Sequence, residues 1–186
     1  MAIPSTRRFL PAFIALLVLI ALMTVATVAS AQQKSAISTT GEGVKSRYVQ
    51  QHIIDVDDVP GHQIRIQETQ RINPGSGHSI DGVRITEEWV RGFSNYINGS
   101  GPAWGHVTWI MEDGSKILLE YTGTSETQQT ASGSRRGTYH GVSRITGGTN
   151  RFAKIRGRTV DVAEFDTDPS KGYNRVSSNG EYWFEN

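Results

Sequence analysis

The chain is 186 residues long, carries 19 Lys and Arg against 18 Asp and Glu, and contains no cysteine. The near-neutral balance leaves no cationic footprint for nucleic acid. The missing thiols exclude cysteine nucleophiles, thiolate metal sites, redox dithiols and disulfide staples, so the fold must rest on a hydrophobic core.

Arg7 and Arg8 open a nearly unbroken apolar run over 9–28, which ends in the small residues Ala29-Ser30-Ala31. This is the layout of a cleavable signal peptide over 1–31. It predicts an exported protein, periplasmic or secreted, with its mature N-terminus at Gln32 and no membrane attachment after cleavage. An uncleaved anchor is the competing reading, because the run approaches the ~20 residues that span a bilayer. Loss of Arg7 and Arg8 with the leader turns the formal charge from +1 to about −1.

Residues 32–45 are small and polar without periodicity, and read as a flexible lead-in. One domain follows over 46–186. Its strand-like runs are 47–56, 63–72, 80–90, 105–111, 116–122, 137–145, 158–165 and 175–184, where β-branched and aromatic residues alternate with polar ones. Turn residues separate them at Asp58-Val59-Pro60-Gly61, Asn73-Pro74-Gly75, Asn98-Gly99-Ser100-Gly101, Asp113-Gly114 and Asp168-Pro169. The Asp113-Gly114 turn between two apolar runs predicts a tight hairpin.

No stretch carries helical periodicity, so the fold class is all-β. An open antiparallel sheet of about eight strands exposes two hydrogen-bonding edges, and closure into a single antiparallel β-barrel removes them. A two-sheet sandwich is the competitor, against which the short connections weigh.

Between the sixth and seventh runs lies Gly147-Gly148-Thr149-Asn150-Arg151-Phe152, followed by Ala153-Lys154-Ile155-Arg156-Gly157. Positive φ is expected at the two glycines, and Phe152 is expected to fold back and plug one end of the sheet. This stretch resembles the glycine turn of the allene oxide cyclase barrel and of the related dirigent proteins, with Asn150 where those families have a glycine. Small exported bacterial proteins of the same barrel class are similar as well. The resemblance implies a closed barrel over most of 46–186 and association as a homo-oligomer, a trimer. The cyclase's catalytic asparagine and glutamate fall on Asp55 and Val56 here, and its cavity cysteine has no counterpart, so the resemblance brings the barrel without the cyclase chemistry.

Strand alternation then assigns the candidate binding residues. Glu68 shares a face with Ile64 and Ile66, and Glu87 and Trp89 share one with Val83 and Ile85; if the apolar faces point inward, so do these residues. Trp109, Tyr121 and Tyr139 alternate with aliphatic residues in the same way. The bland readings are acids at a wet barrel mouth and aromatics as core filling. His52 and His106 lie on strands and are candidates for the lumen. The five histidines show no metal-ligand spacing, no nucleophile elbow or phosphate loop is present, and neither cofactor nor catalytic residue is assigned.

The reading is an exported β-barrel that binds a small apolar ligand in its lumen without catalysis. The alternatives are a cofactor-free isomerase or cyclase, with Glu87 moving the proton, and an oligomeric structural or interaction module.

Overall fold

The computed structural model describes residues 32–42, 44–73, 78–131, 133–167 and 174–186. The leader and the proline turns at 74–77 and 168–172 lie outside them. Among the described residues ten strands run in chain order: β1 Ser35–Glu42, β2 Lys45–Asp55, β3 His62–Ile72, β4 Ser79–Ile80, β5 Val83–Ile97, β6 Gly101–Met111, β7 Lys116–Gln129, β8 Arg135–Gly148, β9 Ile155–Asp166 and β10 Asn174–Phe184. Every pairing is antiparallel, and the order is β1-β10-β9-β8-β7-β6-β5-β3-β2, with β4 on β5.

The lead-in expected to lack structure contains β1. Ile37, Thr39 and Gly41 face inward and are buried there, a period-2 pattern written almost wholly in small polar residues. The barrel expected to close from eight strands is a ten-stranded sheet whose ladder does not close. Glu42 pairs with Arg175 of β10 and Lys45 with Ile72 of β3, so the chain crosses from one sheet edge to the other in three residues, about 11 Å at full stretch. Among the described residues β1 and β2 form no ladder. Val44, fully buried at the crossing, packs this seam.

The Asp113-Gly114 hairpin forms between β6 and β7, with Gly114 at φ +80° and the Ser115 N–H donating to Asp113 Oδ1 at 2.9 Å. In the glycine turn, positive φ falls on Asn150 (+53°), which Asn tolerates, while Gly147 is near extended at +158°. Gly148 is needed for close approach instead: a Cβ there would lie 2.7 Å from the Phe152 carbonyl oxygen and closer still to that of Lys116. Phe152 is wholly buried and plugs the end of the sheet, as expected. Around it Ile85, Met111, Ile117, Leu119, Ile145 and Ile155 form the core at that end.

The other half of the sheet reverses the usual faces. On β3 the polar residues Gln63, Arg65, Gln67, Thr69 and Arg71 face inward, while Ile64 and Ile66 are exposed on the outside. Strand register places Ile66 beside Phe93, then Trp104, Thr122, Val142 and Val160, an exposed and mostly apolar row on the outer surface.

Candidate functional site

The inward polar face of β3 lines a cavity of about 560 Å³, within the range of small-molecule sites. Val90, Val107, Trp109 and Leu119 give it an apolar floor where it meets the core, and Gly61, Asn98 and Arg135 stand at its rim. Residues of β2, β3 and β5 through β10 line it, so the sheet wraps around it.

Glycines keep the cavity open. Gly92 pairs with Gly105 and Gly123 with Gly141, so that four strands lack side chains on the inner wall at neighbouring positions. Tyr121 and Tyr139 lie against these bare patches. A Cβ on Gly92 would fall inside the contact radius of Tyr121 Oη, and one on Gly123 would lie 2.5 Å from Tyr139 Oη. The two rings meet edge to face at 6.2 Å. Phenols seated against the glycines leave space that the same side chains would fill if they projected inward.

Burial pushes the Tyr121 phenol up to about 12, against the opposing pull of the Arg71 guanidinium; burial pushes Tyr139 and Tyr96 up as well. The three phenols are therefore neutral, with hydroxyls that donate or accept. Tyr96 Oη bonds Ser125 Oγ at 2.9 Å, whereas the buried Tyr139 Oη has no partner. Glu88 is 4% exposed at the wall, with Asn73 Nδ2 donating to it at 3.5 Å and Arg71 Nη1 forming an ion pair with it at 3.8 Å. Beside it burial lowers the pKa of His78, against the pull of Glu88, which keeps that imidazole neutral. Asp161 accepts from Ser143 Oγ at 2.5 Å.

Of the residues singled out from the sequence, Trp109, Tyr121 and Tyr139 line this cavity. Glu68, Glu87 and Trp89 do not. Glu68 lies on the outer face, held by Arg91 Nε at 2.7 Å and Gln50 Nε2 at 3.2 Å. Glu87 accepts from Gln70 Nε2, and Arg91 lies over the Trp89 ring, both outside. Two causes produce the inversion. On β3 the apolar face is the outer one, and on β5 a bulge between Ile85 and Glu87 shifts the phase, so that Ile85 points in and Glu88 takes the inward place expected for Glu87. His52 and His106 are likewise exposed on the outer face, in register with Ile66 and Arg91. Arg65, Arg71, Glu88, Asp161 and Tyr96 were not singled out; for Arg65 and Arg71 the signal is the strict alternation Gln63-Arg65-Gln67-Thr69-Arg71, which marks a polar interior once the rule that apolar residues face inward is dropped. Among the described residues no group of three His, Asp or Glu is placed to hold a metal ion.

At the rim, the β2–β3 turn is clamped to β5 through His62. Its Nδ1–H donates to Asp58 Oδ1 at 2.5 Å and its Nε2–H to Asn95 Oδ1 at 2.6 Å, an arrangement that calls for both ring protons. The Asn95 bond and then the Asp58 bond raise the pKa of His62, and the His62 bond lowers that of Asp58. A raised histidine stabilises below its ordinary value of about 6.5 and loses that contribution as pH rises through the folded value; a lowered aspartate stabilises above its ordinary value of about 3.9 and loses its contribution on acidification. The clamp is thus strongest between those two values. NMR titration should place His62 above the ordinary histidine value, and Asn95→Ala should bring it down. An unshifted His62 in the wild type would contradict the clamp.

No family model matches the chain, and no curated protein matches it. Among solved structures it is similar to the pterocarpan synthase dirigent protein PsPTS1, with a TM-score of 0.46 and 13% identity over 83% of this chain and 97% of that one. It is also similar to the pterocarpan synthase dirigent protein GePTS1, with a TM-score of 0.42 and 15% identity over 86% of this chain and 94% of that one.

Proposed function

We propose that this protein is exported and binds one small molecule, largely apolar in body, in the cavity enclosed by its sheet, without transforming it. The observation that carries this reading is the cavity's construction: glycines on the inner wall give Tyr121 and Tyr139 a place to lie, so space that a core of this composition would fill stays empty beside an apolar floor. A second reading, a cofactor-free isomerase, draws on Glu88, the buried acid at the wall, in place of Glu87.

The test is saturable one-to-one binding of naphthalene-based probes, neutral and anionic, followed by calorimetry. Ala103→Phe, which fills the cavity from β6, should abolish it. Probe recovered chemically unchanged supports binding alone, and a recovered isomer supports the second reading. Failure of every probe to saturate would defeat both. Export has its own check. Mass spectrometry of the protein from the extracytoplasmic fraction should give an N-terminus at Gln32, and uncleaved chain in the membrane fraction would overturn it.

A further inference from the structure

We propose that the cavity's ligand is an organic acid, an apolar body ending in a carboxylate, and that Arg65 is the residue that holds the carboxylate. This rests on the reading of the cavity as a binding site and names the class of its occupant. The lumen's other charges are already engaged. Glu88 is held by Arg71 and Asn73, Asp161 by Ser143, Arg47 Nε donates to Gln70 Oε1 at 2.6 Å, and Arg135 Nη2 to the Asn98 carbonyl at 2.5 Å. Asp166 has a partner too.

Arg65 differs from all of these. Its side chain lines the cavity, its Nε is buried with no acceptor, and among the described residues no carboxylate lies within ion-pairing distance of its guanidinium. A guanidinium facing a partly desolvated space without a counter-charge is costly, and an anion entering that space removes the cost. Ser94 is its cross-strand neighbour on β5. The wall there presents a planar fork of donors beside a hydroxyl, which suits a carboxylate accepting two parallel bonds. The floor of Val90, Val107, Leu119 and Trp109 suits the apolar remainder.

The experiment compares 2-naphthoate with the neutral 2-naphthalenemethanol, which have nearly the same shape, by calorimetry on the mature protein. Wild type should bind the acid at least about tenfold more tightly. Arg65→Gln should erase that preference while leaving affinity for the alcohol within about twofold, and Arg65→Lys, which keeps the charge but loses the fork, should keep part of it. Because Arg65 has no partner to lose, Arg65→Gln without ligand should melt no lower than wild type, so loss of the fold is not the expected outcome. Equal binding of the two compounds, tighter binding of the alcohol, or an acid preference that survives Arg65→Gln would overturn the assignment of the acid to Arg65 while leaving the cavity reading intact. Binding of neither compound would overturn the cavity reading and this inference with it.

Discussion

Phe152→Ala is expected to destabilise the protein by about 3 to 5 kcal/mol, the range for an aromatic truncation in a core. The ring is fully buried, stacks on Phe184 with centroids 6.3 Å apart, and sits in the cluster with Ile145 and Ile155. The cost of such a truncation depends on how far the surroundings can collapse, and here they are tied. Thr149 N–H donates to the Lys116 carbonyl at 2.9 Å, Thr149 Oγ1 accepts from the Lys116 N–H at 2.9 Å, and the Phe152 N–H donates to the Thr149 carbonyl at 3.0 Å. Gly148, packed against two carbonyl oxygens, leaves the turn no room to sink inward. Equilibrium denaturation should show a lower midpoint at unchanged slope. A loss below about 1 kcal/mol would mean that the void is refilled and that the plug is dispensable.

That plug was legible in the sequence because it rests on local chemistry: glycines, an Asn that tolerates φ +53° and one aromatic placed between two strand-like runs. The Asp113-Gly114 hairpin was legible for the same reason. β1 was not, since its inward residues Ile37, Thr39 and Gly41 include a single aliphatic side chain, and only their pairing with Gly180, Ser178 and Val176 of β10 makes the alternation meaningful. The cavity wall failed to show itself for a different reason. Assigning faces from apolar alternation assumes a dry interior, and β3 surrounds a polar one, so the rule returned Ile64, Ile66 and Glu68 as inward when all three point out. On β5 the rule was right at Ile85 and then broken by one extra residue, which exchanged Glu87 for Glu88. A bulge is invisible to alternation, because the pattern on either side of it is locally regular.

The bare glycine wall yields the prediction most closely tied to function. Gly92→Ala places a Cβ on Tyr121 Oη, with Tyr121 Cζ at 3.1 Å and the Trp104 carbonyl oxygen at 2.9 Å. The strand paired on both sides cannot retreat, so the ring must leave the wall, and the space open to it is the cavity. Stability should fall by about 1 to 3 kcal/mol, as for other overpacked interiors, and naphthoate binding should be lost because the phenol occupies the site. Tyr121→Phe alone should keep binding, since it removes only the hydroxyl that sets the contact. In the double variant the nearest clash is gone and only the tighter ring and carbonyl contacts remain. Gly92→Ala should then cost about 1 kcal/mol less than it does in the wild type, a coupling that a double-mutant cycle resolves. Equal costs in the two backgrounds would mean that the backbone carbonyl, and not the ring, is what Gly92 accommodates. Binding retained in Gly92→Ala would mean that the ring finds room elsewhere, and the glycines would then lose their role in holding the cavity open.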